Sequence, residues 1–189
     1  MSGTGGPDRA VLRASDSDRD GGCDKATSRV LVAGIGNIFL GDDGFGVEVA
    51  RRLAEMAMPA GVKVADFGIR GIHFAYEILD GAYDEVVLVD AYAHGAAPGT
   101  IVAFEPDAEA AAGDAIADAH SLDPASVLRL VRRLGGSIPR IVVVGCEPET
   151  IDEGIGLSEA VSASVEEAAR TVMSLVSSRP IDENVFVRQ

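Results

Sequence analysis

Two adjacent aspartates, Asp42 and Asp43, follow a glycine-rich turn and form the first group in the chain that suggests chemistry. The turn comes directly after a short β-branched run, and open α/β sheets bind their ligands at the carboxyl ends of such strands. Gly34 and Gly36 match the first two glycines of the dinucleotide-binding G-x-G-x-x-G motif, but Phe39 takes the place of the third. The turn also has no lysine to hold a phosphate. We therefore interpret it as a cation site.

Two further side chains are expected at the same edge of the sheet. Asp90 closes a second apolar run, where a carboxylate must be solvated or paired, and this favours a functional role. His120 precedes a predicted helix on the same side. If the strands before Asp43 and Asp90 are neighbours, their crossovers leave in opposite directions and open a crevice between the two carboxylates. Two carboxylates and one imidazole with open positions suit Mn, Fe, Ni or Zn.

Each of these residues also has an ordinary structural explanation. Asp42 or Asp43 could cap the following helix or complement its positive N-terminus, which would leave the other aspartate for a different role. His120 alone is as consistent with a surface loop as with a metal ligand. His94, in the loop after Asp90, is a weaker spare ligand. The conjunction of Asp43, Asp90 and His120 is what indicates a metal site.

Two loops at this edge have two interpretations each. Residues 68–71, Gly-Ile-Arg-Gly, could line the crevice or simply make the turn into a helix. Residues 145–149, Gly-Cys-Glu-Pro-Glu, follow the last core strand, and Pro148 favours an extended Glu147. This second loop could present backbone groups to an extended peptide or be a plain strand exit. Nucleophilic catalysis has little support, because the chain has no G-x-S-x-G elbow.

The elements that position these residues follow from the hydrophobic pattern. Parallel strands buried on both faces are predicted at Val30–Ala33, Val86–Val89 and Ile141–Val144, with a weaker strand at Lys63–Phe67. Thr100–Phe104 follows Asp90 after only nine residues. A parallel crossover needs about a dozen or more, so this strand should run antiparallel. The sequence therefore predicts a three-layer α/β/α fold around a five-stranded mixed sheet whose fourth strand is antiparallel.

Helical patterns lie between and after these strands. Helices are predicted at Gly44–Met58 and Ile72–Leu79, after the pair Asp123-Pro124, and after Ser158. The third of them should turn four side chains inward: Val127, Leu128, Val131 and Leu134. Ser158 is the predicted N-cap of the last helix.

Composition limits the classes of protein that remain. The net charge is −14, and residues 1–28 contribute only −1 of it, so the acidity of the folded part argues against nucleic acid binding. No apolar run approaches the roughly 18 residues of a membrane span, and no signal peptide is recognised, so a cytoplasmic protein is expected. The two cysteines, Cys23 and Cys146, suggest no disulfide framework. Residues 1–28 are predicted to be disordered, 29–178 to form one α/β domain, and 179–189 to be a tail.

At these residues the chain resembles the hydrogenase maturation endopeptidases, which trim the large subunit of nickel–iron hydrogenases. The resemblance runs from about Val30 to Leu175. It includes Gly-Ile-Gly-Asn-Ile-Phe-Leu-Gly-Asp-Asp-Gly-Phe-Gly-Val, Leu-Val-Asp-Ala, Ala-Pro-Gly-Thr, and Val-Gly-Cys-Glu-Pro-Glu followed by Ile-Gly-Leu-Ser. It implies a phosphorylase/hydrolase-like fold. It also implies that Asp43, Asp90 and His120 contact the metal, and the same three residues are the catalytic candidates. The family often has Glu at the position of Asp43. The substrate-docking segment of the family is usually Asp-Gly-Gly-Thr-x-Gly, and here it reads Asp66-Phe-Gly-Ile-Arg-Gly71. The resemblance therefore assigns substrate binding to Gly68, Ile69, Arg70 and Gly71.

The resemblance implies an aspartic-type endopeptidase with an unusual substrate. It would recognise nickel already installed in the precursor large subunit of a [NiFe] hydrogenase and then remove a short C-terminal extension. Nickel would arrive with the substrate, so no permanently bound metal is required. Two rival hypotheses use the same residues: a metallohydrolase of a small substrate that holds its own metal, and a non-catalytic α/β module that binds a cation or nucleotide.

Overall fold

The computed structural model describes residues 28–106 and 124–178 of the 189-residue chain. The strands are β1 (Val30–Ile35), β2 (Val62–Gly68), β3 (Glu85–Ala91), β4 (Ile101–Phe104) and β5 (Arg140–Cys146). The α-helices are α1 (Phe45–Ala54), α2 (Gly71–Gly81), α3 (Pro124–Arg133) and α4 (Glu159–Ser177), and a 3-10 turn (Gly41–Gly44) precedes α1. The predicted disordered segment, apart from its last residue Ser28, and the predicted tail lie outside the described residues. His120 also lies outside them.

The five strands form one mixed sheet in the order β2-β1-β3-β5-β4. β1 pairs in parallel with β2 and with β3, and β3 pairs in parallel with β5. β4 is antiparallel to β5, with Ile101 opposite Cys146. This confirms the predicted five-stranded sheet and its antiparallel fourth strand, since the short β3–β4 connection can only reverse the chain.

Helices cover both faces of the sheet. α1 and α4 pack with Val30 and Val32 of β1 on one face, and α2 and α3 pack with Leu31 and Ala33 on the other. Successive residues of a strand point to opposite faces, so a strand covered on both sides must be apolar throughout. All six residues of β1 are buried, which explains its unbroken apolar run.

The contact between α1 and the sheet is made by backbone rather than by side chains. A Cβ placed on Gly46 would lie 2.0 Å from the carbonyl oxygen of Val89 and 2.3 Å from that of Ile35. A Cβ on Gly34 would lie 2.3 Å from the carbonyl oxygen of Gly46. Glycine at both positions therefore lets the first turn of α1 sit directly on the ends of β1 and β3, beside the candidate site.

The helices differ from their predicted forms at their ends. α1 ends at Ala54 rather than Met58, and Ser158 caps α4 as predicted, accepting a hydrogen bond from the amide of Val161 at 3.4 Å. The prediction that Leu134 faces the core is wrong: it is 51% exposed, because α3 ends at Arg133. Across residues 28–106 and 124–178, no helix has the length and apolar character needed to cross a membrane.

Candidate active site

Asp90 lies at the point of the sheet where the chain changes direction. It is near the carboxyl end of β3, and β3 is the direct neighbour of β1, as the crevice hypothesis requires. The chain leaves β1 through α1 towards β2 on one side and leaves β3 towards β5 on the other. Ligands of open α/β sheets bind at such switch points, so the fold places Asp90 in the expected position for a functional residue.

Among the residues that the structure describes, none supplies a compensating positive charge to the carboxyl group of Asp90. Burial first, and then the nearby charge of Asp43, raise the pKa of Asp90 from 3.8 to about 7, although a hydrogen bond from the amide of Ala91 opposes the shift. No ion pair involves Asp90 within the described part of the chain. A carboxylate in this state gains from a bound cation, which would supply the missing charge.

Asp43 is brought beside Asp90 by the glycine turn. Its Oδ2 atom accepts a hydrogen bond from the amide of Asn37 at 2.6 Å. Gly36 lies between the two aspartates with a φ of +127°, and a Cβ there would be 1.8 Å from the carbonyl oxygen of Asp43 and 3.7 Å from Oδ1 of Asp90. The turn therefore needs glycine both for its backbone angle and for the close approach of Asp43.

Neither aspartate caps α1, so the capping explanation is wrong. The cap position is Gly44 and makes no side-chain hydrogen bond. Asp42 is fully buried, and its carboxylate accepts hydrogen bonds from the amides of Ser158 at 2.6 Å, Glu149 at 2.8 Å and Thr150 at 3.1 Å. Burial alone would raise its pKa, but the three amides outweigh burial and hold the pKa of Asp42 below its usual range. Asp42 thus ties the β5–α4 connection to the turn that carries Asp43.

Replacing Asp42 with asparagine is expected to destabilise the protein by roughly 1–3 kcal/mol, because an amide oxygen accepts fewer and weaker hydrogen bonds than a carboxylate. Urea unfolding would measure the loss, and hydrogen exchange of the 149–158 amides should accelerate. Asp80→Asn is the matched control, since Asp80 is an exposed aspartate on α2. Equal stability of the two variants would contradict this role for Asp42.

A groove of about 380 Å³ opens between the β1–α1 turn and the end of β2. The two aspartates do not line it, but Gly36 and Asn37 of its wall adjoin Asp90 and Asp43. Three of the predicted substrate-binding residues, Gly68, Ile69 and Arg70, are in its wall, whereas Gly71 is buried at the start of α2 and is not. The full lining is Gly36, Asn37, Ile38, Phe39, Val47, Arg51, Asp66, Phe67, Gly68, Ile69 and Arg70. The groove thus combines exposed apolar side chains with two guanidinium groups.

Sequence reasoning missed two of the groove residues, Phe39 and Arg51. In the sequence Phe39 stands out only as the residue at the third glycine position, yet a large apolar side chain in a turn is itself a signal of binding, and Phe39 is 60% exposed. Arg51 lies on α1 and pairs with Glu48 one turn earlier in the helix, at 2.6 Å. Its place in the groove depends on the packing of α1 against the sheet, which no local pattern shows.

His94 pairs with Glu147 rather than with the aspartates. Nδ1 of His94 lies 3.0 Å from Oε2 of Glu147, and the same carboxylate oxygen accepts hydrogen bonds from the amides of His94 at 2.7 Å and Ala96 at 3.2 Å. These contacts, the His94 amide first, lower the pKa of Glu147. The amide and carbonyl of Glu147 bond to Thr100 and Gly99 at 2.9 Å each, so they are not free for a peptide. At Glu147 the loop is therefore a plain strand exit.

Two other predictions concern Cys146 and the metal set. Cys146 is fully buried, and burial raises the pKa of its thiol, so a packing role fits better than a nucleophilic one.

Asp43 and Asp90 supply two oxygen donors, and His120, the third predicted ligand, lies outside the described residues. Within residues 28–106 and 124–178 no set of three or more potential ligands is arranged around a common point. The ligand trio therefore stays a prediction.

Comparison with known proteins gives a consistent result. Residues 47–175 match the family model described as HycI, hydrogenase maturation protease. A putative hydrogenase maturation protease of Methanocaldococcus jannaschii is 32% identical over 147 residues, covering 76% of this chain and 94% of the relative. The hydrogenase 2 maturation protease of Escherichia coli is 30% identical, covering 77% and 89%.

Solved structures agree in both fold and sequence. The hydrogenase maturating endopeptidase HybD of Escherichia coli is similar with a TM-score of 0.66 and 31% identity, covering 79% of this chain and 92% of that one. The [NiFe] hydrogenase maturation protease HycI of Thermococcus kodakarensis is similar with a TM-score of 0.64 and 26% identity, covering 82% and 96%. The resemblance thus extends over nearly the whole length of these relatives.

Proposed function

The chain belongs to the hydrogenase maturation protease family and is therefore a peptidase, and we propose that it removes the C-terminal extension of a nickel-loaded [NiFe] hydrogenase large-subunit precursor. The observation that carries the proposal is the pair of carboxylates at the β1/β3 switch point. Asp90 there has a pKa of about 7 because it is buried and lies beside the charge of Asp43. In this proposal the cytoplasm is the expected compartment.

Nickel enters this proposal as part of the substrate. Asp43 and Asp90, with His120 as the third predicted contact, would recognise the metal in the precursor, and oxygen and imidazole donors are compatible with nickel. Contact with the metal would supply a positive charge to the buried carboxyl group of Asp90. A precursor without nickel offers no such gain, which would restrict cleavage to substrate in which the metal is already installed.

The groove is the proposed site for the extension. It adjoins the glycine turn and contains Gly68, Ile69 and Arg70 of the predicted docking segment. The Nε atom of Arg70 donates to the carbonyl of Phe67 at 3.1 Å, and the same guanidinium also bonds the carbonyl of Asp66, so its position is fixed by the end of β2. A short extended peptide in this groove would place its scissile bond near Asp43 and Asp90.

The deciding experiment is a processing assay followed by intact-mass measurement. The purified protein is mixed with precursor large subunit from the same host, prepared with and without nickel. We expect loss of a C-terminal peptide only from the nickel-loaded precursor. Asp43→Asn and His120→Ala should reduce the rate by at least about a hundredfold if their contacts to the metal matter in the transition state.

Other outcomes of this assay would contradict the proposal. Cleavage that is equally fast without nickel would remove the metal from substrate recognition. No mass change with any nickel-loaded precursor, together with stoichiometric metal that copurifies with the protein, would favour the small-substrate metallohydrolase. Peptide cleavage of any kind, by contrast, would support a peptidase and exclude the non-catalytic binding module.

A further inference from the structure

A second surface beside the aspartates has an apolar centre. Ile151 and Ile155, in the β5–α4 connection, are 59% and 82% exposed, and Phe39, in the β1–α1 turn, is 60% exposed. The backbone brings the two segments together, because the amide of Gly154 donates to the carbonyl of Phe39 at 2.9 Å and Leu40 forms a parallel bridge with Gly154. We call Phe39, Ile151 and Ile155 the apolar triad.

The segment that carries two members of the triad is fixed relative to the site. The carboxylate of Asp42 holds three amides of residues 149–158, and its own amide donates to the carbonyl of Thr150 at 3.0 Å. The amide of Gly41 donates to the carbonyl of Gly154 at 3.1 Å. Because Asp43 is the next residue after Asp42, the connection that carries the two exposed isoleucines is anchored to the glycine turn that carries Asp43.

The surroundings of the triad are acidic. From residue 141 to residue 169 the chain has seven acidic residues and no lysine or arginine. Three of these, Glu149, Asp152 and Glu153, lie in the exposed part of the connection, and none of them forms an ion pair in the part of the chain that the structure describes. Exposed apolar side chains within an unpaired acidic rim fit a partner surface that is apolar with a basic rim.

The triad and the groove meet at Phe39, which belongs to both, and they extend from it in opposite directions along the sheet edge. The groove lies at the ends of β1 and β2, the connection 147–158 leaves from β5, and β3 with Asp90 lies between them. Cleavage of an extension requires the enzyme to hold the polypeptide on both sides of the scissile bond. The groove and the two isoleucines, Ile151 and Ile155, are therefore placed to bind the two sides.

We propose that the apolar triad and its acidic rim dock the folded body of the precursor large subunit, through an apolar patch with lysine or arginine at its border. This inference rests on the proposed function and names the contact through which the substrate is recognised apart from its extension. A second copy of this chain is a poorer occupant, because it would bring the same acidic rim and the two would repel each other. The groove, which contains two arginines, takes the extension instead.

The test is the double variant Ile151→Ser with Ile155→Ser in the processing assay, with nickel-loaded precursor from the same host. We expect KM to rise at least about tenfold with little change in kcat, since both side chains act in docking and neither touches the reacting atoms. Leu134→Ser is the matched control: it removes a 51% exposed leucine at the end of α3 and should leave KM unchanged. Thermal melting of all three proteins verifies that they fold.

A charge variant tests the rim independently. Asp152→Lys with Glu153→Lys should lower kcat/KM severalfold at low ionic strength, and the loss should shrink as salt is added. If wild-type protein cleaves the precursor but both double variants have the wild-type KM, the docking inference is wrong and the proposed function stands. If wild-type protein cleaves no precursor, the proposed function itself fails. A dimer that the isoleucine variant dissociates, measured by light scattering, would assign the triad to self-association and overturn the inference.

Discussion

Asp90→Asn is expected to abolish processing of the nickel-loaded precursor and at the same time to make the protein more stable at neutral and alkaline pH. The variant keeps the size of the side chain but removes its charge, so it loses the contact proposed for the metal. It also removes a buried carboxylate that repels Asp43. A residue that lowers stability while it supports activity is typical of a functional site.

The pH dependence of this stability difference follows from the direction of the pKa shift. The pKa of Asp90 is raised from 3.8 to about 7 in the folded protein, so the unfolded chain ionises first and the stability contributed by the protonated group is lost as the pH rises from about 4 through 7. Above pH 7 the ionised carboxylate costs roughly 2–4 kcal/mol relative to acid conditions. Asparagine does not titrate, so the stability of the variant does not fall in this way as the pH rises.

Thermal melts of the metal-free proteins in the presence of a chelator would measure this. The gap between Asp90→Asn and wild type should be largest at pH 8, at about 2–4 °C for each kcal/mol, and should close as the pH approaches 4. Asp80→Asn, at an exposed site, is the control and should track the wild type at each pH. A variant that is less stable than wild type at pH 8 would mean that Asp90 is a structural residue.

Gly46→Ala, a single methyl addition in the first turn of α1, is expected to cause a large loss of stability. The new Cβ would lie 2.0 Å from the carbonyl oxygen of Val89 and 2.3 Å from that of Ile35, and neither backbone atom can move without separating β1 from β3 or lifting α1. We expect a cost of more than about 3 kcal/mol, against the usual small gain of alanine over glycine in a helix.

The matched control is Gly154→Ala, where the nearest atom to the new Cβ is the carbonyl oxygen of Asp152 at 4.0 Å. Chemical unfolding, or recovery of folded protein where the variant cannot be refolded, would compare the two. If Gly46→Ala were as stable as Gly154→Ala, the close contact between α1 and the sheet would be wrong, and so would the position of the glycine turn.

The sheet was predictable from the sequence because its signals are local. β-branched runs without polar alternation predict strands buried on both faces, and the nine residues between Asp90 and Thr100 are too few for a parallel crossover. The strand order observed, with β1 beside β3, then places the ends of both strands together. Asp43 and Asp90 were therefore found as neighbours from the positions of two strand ends.

Local patterns could not assign the role of Asp42. The sequence offers a helix cap as its simplest explanation, yet its carboxylate accepts hydrogen bonds from Glu149, Thr150 and Ser158, more than a hundred residues later in the chain. Leu134 shows the same limit, because the helical periodicity continues in the sequence past the point where α3 ends. In both cases a non-local contact or a chain reversal overrides the local preference.

The amino-acid sequence by itself determined the α/β class, the antiparallel fourth strand and the placement of Asp43 and Asp90 at one edge, since these depend on residue spacing and on the period of apolar side chains. The tertiary structure alone decided that Asp90 has a raised pKa, that Phe39 and Arg51 share a groove, and that residues 149–158 are tied to the glycine turn that carries Asp42 and Asp43. Burial, the electrostatic environment of a charged group and contacts between distant segments are properties of the packed chain, and they arise only when the helices and the sheet are brought together.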